Sequence, residues 1–130
     1  MKLTNVTFTG SLPKTQMGDV LAASNACVAT LQNIPMFKTT YPNKVFDYMA
    51  AGRPTILAID GVIRTVIEAA QGGCFVPPGD EQTLAQTTLA LSTNPTQVKT
   101  MGASARAYVE KHFNRLDQAE NFVALLKSLV

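Results

Sequence analysis

A chain of 130 residues, 46% hydrophobic and 15% charged, can bury one sizeable core, so composition excludes an intrinsically disordered chain. Its formal net charge of +2 comes from interspersed Lys and Arg, with no basic block, so nothing favours nucleic acid as a partner while a small anionic ligand stays open. No run approaches the ~20 apolar residues that span a bilayer, and the start Met1-Lys2-Leu3-Thr4-Asn5-Val6-Thr7-Phe8 lacks the longer apolar core of a signal peptide, so the chain is expected to be neither secreted nor inserted.

In chain order, Val6 to Thr9 reads as a short strand stopped by Gly10 and Pro13. Met17, Val20 and Leu21 then outline a helix that ends at Ser24 to Asn25. Ala26 to Leu31, Thr55 to Ile59 and Cys74 to Val76 are apolar without alternation, the pattern of strands covered on both faces in a parallel sheet. Helical segments lie between them: Asn43 to Ala51, closed by Gly52 and Pro54, and Val62 to Gln71, with Val62, Ile63, Val66, Ile67 and Ala70 on one stripe. Beyond Pro77 the pattern becomes helical. Asp80 caps a helix turning Leu84, Ala85, Thr88 and Leu91 inward, and Asn94-Pro95 starts a second with Val98, Met101, Ala105 and Val109 on one side. Asn114 precedes a third, striped by Leu116, Ala119, Val123, Leu126 and Val130. The prediction is an α/β layered domain, β-α-β-α-β-α-β with right-handed crossovers, finished by three helices. Its low strand count points to a piece of something larger.

Cys27 and Cys74 each sit in an apolar run that reads as a central strand, where a thiol serves as a small buried hydrophobe. Unbridged thiols suit a cytoplasmic, reducing setting. No G-x-G-x-x-G follows a strand, no G-x-x-x-x-G-K-[ST] occurs, and two distant Cys with one His make no zinc framework. His112 beside Lys111 suits a helix end, without a nucleophile or carboxylate partner placed by sequence.

In an open parallel sheet ligands bind beyond the carboxyl ends of the strands, which directs attention to Gly10 to Gln16, Gln32 to Pro42, Asp60-Gly61 and Pro77 to Asp80. Lys38, Thr39, Thr40 and Asn43 offer a cation, two hydroxyls and an amide beside a helix N-terminus, a plausible cradle for a diphosphate. Capped helix starts have the same composition without a ligand. Lys44 and Asp47 could form an exposed i, i+3 pair, or act separately, the ammonium on a phosphate and the carboxylate on a ribose diol. Arg53, Arg64 and Glu68 read as ordinary solvent-facing charges.

The run Phe37-Lys38-Thr39-Thr40-Tyr41-Pro42-Asn43-Lys44-Val45-Phe46-Asp47-Tyr48-Met49-Ala50-Ala51-Gly52-Arg53-Pro54 resembles the donor-binding signature of family 4 retaining glycosyltransferases. Val76-Pro77-Pro78-Gly79-Asp80 resembles a later motif of the same family, and Met101-Gly102 through Phe113 resembles one of its helices. The resemblance implies the GT-B type, two Rossmann-like domains facing a cleft, with residues 1–130 a single partial domain from the C-terminal, nucleotide-sugar-binding half. It implies a UDP-, GDP- or ADP-type donor held by Leu12, Thr39, Thr40, Asn43, Lys44 and Asp47, and a glycan or lipid-linked acceptor held by a domain absent here. It implies no metal, no cofactor and no catalytic residue within this chain, which alone would be inactive. The parent enzyme would build polysaccharide or glycolipid in the cytoplasm, at the inner face of the membrane. Two departures stand out. The family often carries glutamates at the positions matched by Thr39 and Asp47, and its paired Arg and Lys, which stabilise the departing diphosphate, lie upstream of the region matched by Val6. A non-catalytic Rossmann-like binding or interaction module is the alternative reading.

Overall fold

The computed structural model describes residues 3–129; Val130, the last residue of the predicted stripe, lies outside them with Met1 and Lys2. A 3-10 turn, Lys14–Gln16, leads into α1 (Met17–Ala23), followed by β1 (Cys27–Thr30), a second 3-10 turn (Pro35–Thr39), α2 (Asn43–Ala50), β2 (Thr55–Ala58), α3 (Val62–Ala70) and β3 (Gly73–Phe75). Three helices follow: α4 (Glu81–Ser92), α5 (Pro95–His112) and α6 (Arg115–Ser128). The strands form one parallel sheet in the order β1-β2-β3, with Cys27 opposite Thr55 and Thr55 opposite Gly73.

β2 is buried on both faces. On one face Ala29 and Leu57 meet Val45 and Met49 of α2, Ile63, Val66, Ile67 and Ala70 of α3, and Ala105 and Val109 of α5. On the other, Ile56 and Val76 meet Leu91 of α4, with Cys74, Leu84, Val98 and Met101 packed around them. α5 contributes to both layers and so clips the sheet between them. Gly102 permits this: a Cβ there would strike the carbonyl oxygen of Gly52, so the backbone of α5 rests directly on the turn after α2. Gly52 itself has φ 67°, and Gly52 N–H donates to Met49 O while Arg53 N–H donates to Tyr48 O, the paired bonds that close a helix through a left-handed glycine.

Caps form where the sequence places them. Asp80 accepts from the Thr83 N–H at 2.9 Å and from its hydroxyl at 2.7 Å, Asn94 accepts from Gln97 N–H, and Asn114 from Leu116 N–H.

Four expectations need correction. Val6 to Thr9 is not a strand: no neighbouring strand among the described residues supplies its ladder, and Phe8 is 93% exposed. β1 is consequently an edge strand, buried on alternate residues rather than on both faces. Cys27 and Cys74 therefore sit on the two edges, not centrally, although burial pushes both thiols up and keeps them protonated. In α4 only Leu91 is buried and Thr83, Leu84 and Thr87 half-buried, while Ala85 and Thr88 are exposed, because the helix meets the sheet along a narrow line. α6 forms as predicted, but no residue of it is buried: its apolar stripe finds no partner among the described residues, and Leu116 is 75% exposed.

Two outcomes follow from this packing. Gly102→Ala forces α5 away from Gly52 and should lower unfolding free energy by about 1–3 kcal/mol in denaturant titrations, whereas Leu116→Ser should change it by less than about 0.5 kcal/mol. The hydrogen bonds from Thr83 hold the Asp80 carboxyl below its ordinary value. A carboxylate depressed in the folded state stabilises fully above the unfolded pKa of about 4 and loses that contribution as pH falls through its lowered value. Asp80→Asn, which keeps the cap geometry, should therefore flatten the acid limb of a stability-versus-pH curve below about pH 4.

Candidate functional site

All three strands are parallel, so the loops that follow them emerge along one edge. A cavity of about 660 Å³ lies there, lined by Thr30, Leu31, Gln32 and Asn33 after β1, Phe37 of the second 3-10 turn, and Pro78 and Gly79 after β3. Neighbouring hollows carry it on one side to Asp80, Glu81 and Leu84 and on the other to Lys38, Ile59 and Asp60. Three of the four loops singled out by sequence thus converge. The fourth, Gly10 to Gln16, lines none of these hollows, and Leu12 is half-buried in the irregular segment before α1.

Glycine again sets the approach of two loops. Gly61, with φ 103°, lies so close to Lys38 that a Cβ would strike its backbone, which presses the 3-10 turn against the β2–α3 turn. Lys38 Nζ then stands 3.9 Å from Asp60 Oδ2. Asp60 also pairs with Arg64 at 3.5 Å, Arg64 bonds Glu68 at 2.7 Å, and the Arg64 guanidinium lies 3.9 Å above the Phe75 ring. Arg64 and Glu68 face solvent as expected, and with Asp60 they form a line of alternating charge. The i, i+4 spacings Asp60–Arg64–Glu68 were the signal for it in the sequence.

The proposed donor-site residues are treated differently by the fold. Lys44 does not pair with Asp47; its Nζ donates to the Thr30 carbonyl, 3.2 Å away, at the carboxyl end of β1 and on the cavity wall. Asp47 is exposed and has no side-chain hydrogen bond or ion pair among the described residues. Its charge, together with burial and Cys27, raises the Tyr48 hydroxyl above its ordinary value, burial being the main cause. Thr39 and Thr40 both turn their hydroxyls back onto the Met36 carbonyl, at 3.2 and 3.1 Å, so neither is free to donate to a ligand. Asn43 opens α2 and is exposed; Pro42 precedes it and no side chain caps the helix, which leaves its first N–H groups available.

Arg53 departs from the solvent-facing expectation. It is half-buried, and its Nη2 donates to the Ala22 carbonyl at 2.8 Å, tying the end of α1 to the start of β2. His112 is exposed and stacks its ring 4.4 Å from that of Tyr108. No group of three His, Cys, Asp or Glu among the described residues is placed to hold a metal ion, and no helix there is long and apolar enough to cross a membrane.

The sequence model of the glycosyl transferases group 1 family matches residues 1–94. Among solved structures the chain is similar to a sucrose-phosphate synthase from Thermosynechococcus elongatus, with a TM-score of 0.81 and 25% identity over 95% of this chain. The match covers 30% of that protein. No curated protein matches the chain. The parallel sheet, its flanking helices and the three closing helices are thus those of a GT-B glycosyltransferase domain, and the family match over residues 1–94 shows that this chain belongs to the group 1 glycosyl transferases.

Proposed function

We propose that the chain is the nucleotide-sugar-binding portion of a retaining glycosyltransferase, one partial domain of a two-domain enzyme that moves a sugar from a nucleoside-diphosphate donor to a glycan or lipid-linked acceptor. The observation that carries this reading is Lys44, a half-buried residue whose Nζ donates to the carbonyl of Thr30, and Thr30 lines the cleft at the carboxyl ends of the strands. One of its N–H groups serves that carbonyl, which leaves two for a phosphate oxygen. The uncapped start of α2 adds backbone N–H groups and the positive end of a helix dipole beside it. Asp47, exposed and uncommitted, would accept from ribose hydroxyls. When the sugar–phosphate bond breaks, its electrons pass to the diphosphate, and donors aimed at that group lower the barrier. The other domain would supply the acceptor site and the remaining cations.

One observation favours the rival, a non-catalytic Rossmann-like module. Thr39 and Thr40 spend their hydroxyl protons on Met36, so the loop offers fewer donors to a phosphate than its composition promises. Nucleotide titration separates the two readings.

Nucleoside diphosphates added to the 130-residue chain should shift NMR signals at Asn33, at Asn43 to Asp47 and at Pro78 to Asp80, with affinity near millimolar, about −4 kcal/mol. Asp47→Asn should weaken binding by about 1 kcal/mol, the low end for a charged acceptor because the site is wet. Unchanged affinity in that variant would remove Asp47 from the site. Lys44→Met should weaken diphosphates more than nucleosides, and added salt should erase the difference because a point charge is screened. Sugar transfer by the chain alone should be undetectable, since losing even one charge-stabilising donor lowers rates about 100-fold or more.

A further inference from the structure

At the opposite edge of the sheet, before β1 and β2 begin, lies a second cavity, of about 470 Å³. It is enclosed between Asn25 ahead of β1, Arg53 ahead of β2, and the α4–α5 junction, with Leu91 and Val98 as apolar walls and Ser92 and Lys99 at its polar side. Two cations line it and no carboxylate does. Neither Arg53 nor Lys99 takes part in an ion pair among the described residues. The Arg53 guanidinium is held in place by its Nη2 bond to Ala22, yet its Nε is buried and has no hydrogen-bond partner.

A half-buried guanidinium that serves one carbonyl through Nη2 keeps further N–H groups with which to bind an oxyanion. A hollow of this size accommodates a small metabolite, its apolar walls taking the body and its cations the charged end. From this geometry we propose that the cavity binds the oxyanion group, phosphate or carboxylate, of a small molecule, at a site separate from the donor cleft. Arg53 provides one positive charge with its remaining N–H donors, Lys99 a second positive charge, and Asn25 and Ser92 the neutral polar contacts. Cationic lining without a carboxylate distinguishes this hollow from the donor cleft, whose rim carries Asp60 and Asp80.

The test is a titration of the 130-residue chain with inorganic phosphate at constant ionic strength, followed by proton–nitrogen NMR that includes the arginine Nε. Saturable shifts are expected at Asn25, Arg53 Nε, Ser92 and Lys99, weakened about tenfold in Lys99→Gln, which removes one charged contact. Lys99 is exposed and makes no side-chain hydrogen bond among the described residues, so that variant keeps the fold even if Arg53→Lys, which loses the Nε–H, does not. Acetate run in parallel identifies the preferred group, and saturable binding of either oxyanion supports the site. The proposal falls if phosphate and chloride give the same non-saturating response, if shifts are confined to residues 30–47, or if Lys99→Gln binds phosphate as tightly as the parent chain.

Discussion

Thr55–Ala58 is hydrogen-bonded to β1 on one side and β3 on the other, and all four of its side chains are buried. A strand in that position needs a helical layer on each face, because any side chain left facing water would forfeit the burial that stabilises the sheet. α2 and α3 cover one face and α4 the other, with α5 reaching both. Parallel pairing also forces each connection to cross over, so every loop that follows a strand arrives at the same edge. The cleft, with Lys44 bonded to the carbonyl of its lining residue Thr30, is a product of that one constraint. The second cavity is the same constraint seen from the other edge, where the turns that precede the strands gather.

Close backbone contacts refine what the sheet sets in place. Gly102 lets α5 touch the turn at Gly52, and Gly61 lets the β2–α3 turn touch Lys38. A third, Gly73, lies against the Thr55 backbone, where a Cβ would collide with the central strand. Each contact removes the stand-off that a side chain would impose, and interiors packed at crystal density transmit such small displacements to neighbours.

Electrostatics divide the two edges. Lys38 and Asp60 meet at the cleft, and the alternation of charge runs on from Asp60 away from it along α3 through Arg64 and Glu68, while Lys44, beside Thr30, has only a carbonyl as partner among the described residues. At the opposite edge Arg53 and Lys99 have no such compensation. Thr55, fully buried and with its hydroxyl unpaired, begins β2 just beyond Arg53, so two of the unsatisfied polar atoms of the described residues belong to this short stretch. Both sit at the entry to the central strand.

Local chemistry was legible in the sequence. Asp80, Asn94 and Asn114 cap the helices they precede, Gly52 closes α2 in a left-handed conformation, and the stripes of α3 and α5 face the core, because caps, glycine and helical period act over a few residues and need no partner from elsewhere. The P-N-K-V-F-D-Y-M-A-A-G-R-P run and V-P-P-G-D carried the family for the same reason, being contiguous. What depends on a distant partner was decided only by tertiary structure. Val6 to Thr9 has strand composition but no neighbour to pair with, the stripe of α6 has helical period but nothing to cover it, and β1 is an edge because its far side is open. Lys44 had two possible partners within reach, Asp47 on its own helix and the end of β1; crossing of the chain put the Thr30 carbonyl in range and settled it. Arg53 and Lys99, far apart in sequence, became neighbours of one cavity only when α5 folded back across the turn at Gly52.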